Sequence, residues 1–147
     1  MKFTILCAGK LKESYFSEAA KEYQKRISRY ASVEIIEVAD GPDMKAEAER
    51  FIKYLPEKSY KVTLEIEGKS FSSEEFAQKI EELTVASVSN IVFIIGGSDG
   101  LDKSIRQKAD LALSFSKFTF PHMLMRVILL EQIYRAMKII NNEPYHK

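Results

Sequence analysis

The sequence of 147 residues is poor in the residues that stabilise small secreted or metal-dependent domains. Its single cysteine, Cys7, cannot form an intramolecular disulfide and leaves no cysteine-based zinc site to build. Because it lies within a predicted strand, Cys7 is interpreted as a small core hydrophobe and not as a nucleophile. With only two histidines, no metal site and no Ser-His-Asp arrangement can be argued from the sequence, and we expect no bound metal.

Long hydrophobic runs are also absent. Met1–Ala8 is too short for a secretory signal, and charged residues interrupt the other apolar stretches within a few positions. We therefore expect no targeting segment and no membrane association. Together with the lone thiol, this favours a soluble, cytoplasmic protein.

Composition and charge describe one ordinary globular domain over residues 1–147. Apolar residues make up 46% of the chain and charged residues 29%, which excludes disorder, collagen-like repeats and a disulfide scaffold. The net charge of +1 is unevenly distributed: residues 103–147 carry +5 and residues 1–102 carry −4. This basic third either faces an anionic partner such as RNA or consists of charges scattered over solvated faces.

Apolar runs alternate with amphipathic stretches along the whole chain. Predicted strands cover Phe3–Ala8, Val33–Val38, Lys61–Ile66, Ile91–Ile95 and Leu111–Phe115. Predicted helices cover Ser14–Tyr30, Met44–Leu55, a segment from the Ser72–Glu75 capping box to about Val85, a short segment from about Asp102, and His122–Ile140. Strands separated by helices predict an α/β fold, a mostly parallel sheet with helices on both faces.

The last predicted helix has apolar residues on nearly its whole circumference. Such a helix must be buried on all sides, and one sheet face cannot cover it. We therefore predict that it seals a homodimer, which Asp at Leu129 or Ile133 would disrupt. The alternative is a central core helix in a monomer.

Two loops are candidates for a ligand site. Gly96–Gly100 follows the most apolar strand, at the place where open α/β sheets bind ligands. It matches no nucleotide-binding fingerprint, and a plain tight turn is an equally good interpretation. If a ligand approaches Gly96, valine there should weaken binding while the fold survives. Ser114–His122 alternates phenylalanines with hydroxyl groups and a lysine, which suits an aromatic ring, unless the phenylalanines simply pack the core.

The two histidines have different predicted settings. His122 falls in the first turn of the last helix, where the helix dipole disfavours a charged imidazolium and favours a neutral hydrogen-bonding group. His146 lies in the tail Glu143–Lys147, which is either an ordinary frayed end or a functional segment.

Six motifs, in order along the chain, resemble those of one family. They are Cys7–Lys12, Thr63–Lys69, Ile94–Gly100, Leu113–Ser116, Thr119–His122 and Pro144–Lys147. On these residues the sequence is similar to the RlmH family of SPOUT-class methyltransferases. These bacterial enzymes use S-adenosylmethionine to methylate N3 of a pseudouridine in the 23S RNA of the large ribosomal subunit.

The resemblance implies an α/β domain with a C-terminal trefoil knot, a homodimer, and S-adenosylmethionine as cofactor. A knot runs against the general rule that connections do not thread loops. The cofactor-binding positions of the family fall here on Leu64, Gly96, Phe115, Ser116, Lys117, Phe118, Thr119 and Phe120.

Direct methyl transfer requires the protein to position the attacking nitrogen and to help remove its proton. Candidates for orienting the base or accepting the proton are His122, Arg126, Tyr145 and His146. The tail is expected to complete a site built from both subunits. There are two alternatives: a catalytically silent dimer that binds ribosomal RNA, and a SPOUT enzyme that acts on tRNA. Because no appended RNA-binding domain is expected, the assembled ribosome is favoured as the substrate.

Overall fold

Five parallel strands form one sheet in the computed structural model, which describes residues 1–147. The strands are β1 (Lys2–Ala8), β2 (Ser32–Val38), β3 (Tyr60–Ser70), β4 (Asn90–Ile95) and β5 (Leu111–Ser114). Their order across the sheet is β2-β1-β4-β3-β5, and every neighbouring pair is parallel. The predicted α/β class is confirmed. All five carboxyl ends therefore lie at one edge of the sheet.

Five helices connect or follow the strands. They are α1 (Ser14–Ile27), α2 (Met44–Tyr54), α3 (Ser73–Val85), α4 (Lys103–Arg106) and α5 (His122–Ile140). The predicted capping box opens α3: the Ser72 hydroxyl accepts from the Glu75 N–H at 3.1 Å, and the Glu75 carboxylate accepts from the Ser72 N–H at 2.9 Å. None of these helices combines the length and the apolar character needed to cross a membrane.

β3 is longer than the sequence predicted. The predicted end at Ile66 is wrong, because a bulge lets both Leu64 and Lys69 pair with Leu113 of β5 and the strand continues to Ser70. Gly68 does not end the strand. A Cβ atom at Gly68 would lie 2.7 Å from the carbonyl group of Ala112, so glycine there permits close approach of the two backbones.

Helices cover both faces of the sheet, as predicted. On one face, alternate residues of β1 such as Phe3 and Ile5 join the helices α1, α3 and α5 in the larger core cluster. On the other face, Leu6 and Ala8 join α2 and α4 in the smaller cluster. The period of two along β1 explains this division.

α5 occupies the middle of the three-helix layer, between α1 and α3. Leu129 and Ile133 are 0% exposed within a single chain, so the prediction that these two residues seal a dimer is wrong. The layer itself explains most of the apolar circumference of α5. Leu124, Val127 and Ile128, spaced i, i+3 and i+4, remain only partly buried and lie outside both core clusters.

Candidate active site

A cleft of about 680 Å³ lies at the carboxyl-end edge of the sheet. Three chain segments meet there: the part of β3 around Leu64, the turn Gly96–Gly100 after β4, and the segment from Phe115 to His122 that leads into α5. The two loops that the sequence singled out therefore form one site. Its volume falls within the range of roughly 300–1,000 Å³ that is usual for small-molecule sites.

The turn Gly96–Gly100 is fixed by its own backbone. The Gly100 N–H donates to the Gly97 carbonyl at 3.0 Å, and Gly100 has a positive φ of 87°. A Cβ atom at Gly96 would collide with the Gly100 carbonyl group, whose carbon would be 2.7 Å away. The expectation that valine at Gly96 leaves the fold intact is therefore wrong. The segment is both a tight turn and a wall of the cleft.

The segment Phe115–Phe120 forms the opposite wall. The Ser114 hydroxyl donates to the Ser116 carbonyl at 3.0 Å, and the Ser116 hydroxyl accepts from the Phe118 N–H at 3.0 Å. These bonds shape the segment and leave Phe118 77% exposed at the cleft. Phe115 also packs partly against the core, so both interpretations of the phenylalanines apply.

Seven of the eight predicted cofactor positions line this cleft. They are Leu64, Gly96, Phe115, Ser116, Phe118, Thr119 and Phe120. The exception is Lys117, whose side chain is exposed and is not part of the lining.

His122 is the first residue of α5 and lines the same cleft. Its Nε2 atom is buried and has no hydrogen-bond partner within the protein. Unsatisfied buried polar atoms are rare because each carries a desolvation cost. The imidazole therefore carries an unsatisfied hydrogen-bonding atom next to the cleft.

Arg126 lies one turn further along α5 and is only 1% exposed. Its guanidinium group forms an ion pair of 2.5 Å with Glu37 and donates to the carbonyl oxygen of Gly9 at 2.9 Å. It does not line the cleft, and its contacts join the start of α5 to the ends of β1 and β2. Burial raises the pKa of the nearby Cys7 thiol to about 12, although the charge of Arg126 opposes the shift, which agrees with a core role for Cys7.

The C-terminal tail folds back against the far part of α5. The Tyr145 hydroxyl donates to Glu131 at 3.2 Å, while His146 contacts Arg135 through Nδ1 at 3.2 Å and Glu74 through Nε2 at 2.6 Å. Burial, followed by the charge of Glu131, raises the pKa of Tyr145 to about 12, which makes it a poor base near neutral pH.

The four predicted catalytic candidates are thus not brought together within one chain. His122 lines the cleft, Arg126 is buried outside the lining, and neither Tyr145 nor His146 lines it. Along α5, His122 and the tail contact Arg135 are roughly 20 Å apart at about 1.5 Å per residue.

The basic C-terminal third keeps most of its positive charge at the surface. Three of its eight cations form ion pairs: Arg126 with Glu37, Arg135 with Glu131, and Lys138 with Glu143. The other five are exposed: Lys103, Arg106, Lys108, Lys117 and Lys147.

Sequence reasoning missed further cleft residues, among them Glu65 and Met125. Asp99 also lines the cleft and belongs to the predicted loop Gly96–Gly100. Met125 follows His122 by one helical turn, so the i, i+3 spacing would have found it. Glu65 accepts a 2.5 Å hydrogen bond from the Thr63 hydroxyl and directly follows a predicted cofactor position, Leu64. No cluster of three or more His, Cys, Asp or Glu side chains is arranged to hold a metal ion.

Comparison with known proteins finds full-length relatives. The family model described as "Predicted SPOUT methyltransferase" matches residues 1–146. A "Ribosomal RNA large subunit methyltransferase H" of Acetivibrio thermocellus is 48% identical over 159 aligned positions, which cover 100% of both chains. A protein of the same name from Natranaerobius thermophilus is 48% identical over 158 positions, covering 99% of each chain.

Solved structures with low sequence identity share the fold. A probable methyltransferase from Bordetella pertussis Tohama I superposes with a TM-score of 0.58 at 11% identity, covering 92% of this chain and 95% of that one. A probable methylase family protein from Haemophilus influenzae gives a TM-score of 0.57 at 12% identity, covering 99% of this chain and 70% of that one.

Proposed function

Because the chain belongs to the ribosomal RNA large subunit methyltransferase H family of SPOUT methyltransferases, we propose that it methylates N3 of a pseudouridine in 23S ribosomal RNA, with S-adenosylmethionine as methyl donor and the assembled ribosome as substrate. The observation that supports this most strongly is that seven of the eight family cofactor positions line one cleft.

The residues of the cleft fit S-adenosylmethionine. Phe115, Phe118 and Phe120 offer apolar faces to an adenine ring, and Thr119 and the glycine turn offer polar backbone and hydroxyl groups. The unpartnered Nε2 atom of His122 can satisfy a polar group of a bound molecule. When bound, S-adenosylmethionine supplies a methyl group already activated on a sulfonium, which transfer leaves as a neutral thioether.

In the reaction N3 of the base forms a bond to the methyl carbon and loses its proton, so the protein must hold N3 in line and provide a place for that proton. We assign to His122 the role closest to the reacting N3 atom. Its Nε2 atom can accept the N3 proton or hydrogen-bond to an adjacent carbonyl group, according to its tautomer. Arg126 acts through other groups, because its contacts with Gly9 and Glu37 fix the start of α5 that carries His122.

We propose that the tail of one protomer acts at the cleft of a second copy of the chain. In one protomer Tyr145 and His146 contact Glu131, Arg135 and Glu74, none of which lines the cleft. If these tail residues act on the substrate, the cleft concerned belongs to a partner subunit. We therefore propose a homodimer joined through the partly exposed stripe of α5 formed by Leu124, Val127 and Ile128, close to His122. We also propose the knotted C-terminal path that the family implies.

Calorimetric titration with S-adenosylmethionine, followed by methyl transfer from labelled cofactor, tests the function. We expect binding by the purified protein and transfer to ribosomes, with the methyl group located on N3 of pseudouridine by mass spectrometry of digested RNA. Binding without transfer to any RNA would indicate a catalytically silent protein. Transfer to free tRNA but not to ribosomes would assign it to a different SPOUT substrate.

Deletion of residues 145–147 tests the role of the tail. The lost contacts are partly exposed, and exposed ion pairs contribute about 0–1 kcal/mol, so thermal stability and cofactor affinity should change little. Methyl transfer to ribosomes should fall by orders of magnitude. Full activity of the truncated protein would remove Tyr145 and His146 from the candidates.

A further inference from the structure

Glu47 is a buried carboxylate in contact with the glycine turn. It lies in the first turn of α2, on the sheet face opposite to α5, and is only 7% exposed. A Cβ atom at Gly97 would lie 2.9 Å from its Oε2 atom and 3.1 Å from its Oε1 atom. Gly97 lines the cleft, whereas Glu47 does not. The backbone of Gly97 therefore has the cleft beside it and the carboxylate against it.

The carboxylate is itself held in place. Its Oε2 atom accepts a hydrogen bond from the Gly41 N–H at 2.8 Å. Arg50, one turn along α2, donates to the carbonyl groups of Ala39 at 2.6 Å and of Gly41. A buried charge is costly unless it is paired or hydrogen-bonded, and these contacts fix the side chain that touches Gly97.

Gly97 has no other reason to be glycine in this fold. Its φ lies outside the left-handed region, and the three atoms nearest to a Cβ there all belong to the Glu47 carboxyl group. By contrast, Gly96 is confined by Gly100 of its own turn. The requirement for glycine at position 97 thus comes from a side chain 50 positions earlier in the sequence.

We propose that Glu47 is a positioning residue for the cofactor site, which sets the location of the Gly97 backbone and through it the wall of the cleft. This inference rests on the proposed function, in which the cleft binds S-adenosylmethionine. It predicts energetic coupling between positions 47 and 97 in cofactor affinity.

A double-mutant cycle measured by calorimetry with S-adenosylmethionine tests the coupling. Gly97→Ala places a methyl group against the carboxylate and pushes the turn, so the Kd should rise about tenfold, which corresponds to about 1.4 kcal/mol of binding free energy. Glu47→Asp withdraws the carboxylate by one methylene group. The Glu47→Asp/Gly97→Ala variant should therefore bind more tightly than Gly97→Ala alone. Glu49→Asp, at an exposed position of the same helix, is the matched control and should not restore binding.

If Glu47→Asp restores the affinity of Gly97→Ala for S-adenosylmethionine and Glu49→Asp does not, the inference is supported. If Gly97→Ala binds like the wild type, or if the two effects are additive in the double variant, the inference is overturned. A purely structural role would lower the melting temperature without this coupling, so thermal unfolding is recorded for every variant. Glu47→Ser replaces Glu47→Asp in the cycle if the latter does not fold. If the wild-type protein does not bind S-adenosylmethionine, both the proposed function and this inference are overturned. If it does bind, the variants test the role of Glu47 separately from the proposed function.

Discussion

The ion pair between Arg126 and Glu37 is asymmetric, and this predicts which partner is costlier to replace. Arg126 is 1% exposed, whereas Glu37 is 33% exposed at the side chain. Glu37→Gln leaves the buried guanidinium without its counterion. Arg126→Met removes the buried charge and leaves a carboxylate that can turn towards water. We therefore expect Glu37→Gln to destabilise the protein more than Arg126→Met, although the removed guanidinium makes more contacts.

The magnitudes follow from the contacts. An uncompensated buried charge costs about 3–5 kcal/mol, and the lower end applies because the glutamine oxygen still accepts a hydrogen bond. Arg126→Met deprives the Gly9 carbonyl of its 2.9 Å donor, which costs about 1–2 kcal/mol. The double variant should resemble Arg126→Met alone, since no buried charge remains to be compensated.

Urea unfolding and thermal melts measure the difference. For a chain of this size each kcal/mol shifts Tm by roughly 2–4 °C, so Glu37→Gln should lower Tm by about 6–12 °C and Arg126→Met by about 2–8 °C. The exposed pair of Glu22 and Arg26 is the control, and the same substitutions there should each change stability by under about 1 kcal/mol. A larger loss for Arg126→Met, or additive losses in the double variant, would refute this reasoning.

Three further predictions concern the surface and the tail. Val127→Asp, on the partly exposed stripe of α5, should convert a dimer to a monomer in light scattering, whereas Val85→Asp, at a position 82% exposed, should not. Burial and the charge of Glu131 raise the pKa of Tyr145 from 10.0 to about 12. The difference in phenolate absorbance between wild type and Tyr145→Phe should therefore show an ionisation near pH 12, and an ionisation near pH 10 would contradict it. Phe118→Ala should leave Tm unchanged, because the side chain is exposed, and should weaken binding of S-adenosylmethionine in calorimetry; unchanged affinity would remove Phe118 from the site.

The features that the sequence predicted well are those with local signals. The bounds of α5 were found at both ends, since Pro121 precedes the helix and its apolar pattern ends at Ile140. The capping box at Ser72 was found because both of its residues lie within one turn. Gly96–Gly100 was found because open α/β sheets bind ligands where their strands end, and Ser114–His122 because its phenylalanines alternate with hydroxyl groups.

The features that were missed depend on neighbours distant in sequence. The extension of β3 to Ser70 depends on β5 lying alongside it, which no pattern within β3 reveals. Periodicity showed that α5 must be covered on all sides but could not identify α1 and α3 as the covers, so Leu129 and Ile133 were assigned to the wrong neighbour. The sequence analysis assigned no role to Glu47, because its burial depends on the packing of α2 against the turn after β4.

The two walls of the cleft are held by different interactions, and this determines how substitutions in them act. The turn Gly96–Gly100 is tightly packed: a Cβ atom at Gly96 would meet the Gly100 carbonyl group, and one at Gly97 would meet the Glu47 carboxylate from α2. A side chain added at either position must therefore displace a neighbouring group. The segment Phe115–Phe120 is shaped by short bonds among its own serines and presents Phe118 to solvent. The exposed side chain of Phe118 can therefore be exchanged without moving the fold, whereas Phe115 also packs against the core. Substitutions that act on the cleft alone are consequently expected at Phe118, whereas substitutions in Gly96–Gly100 are expected to perturb the fold as well.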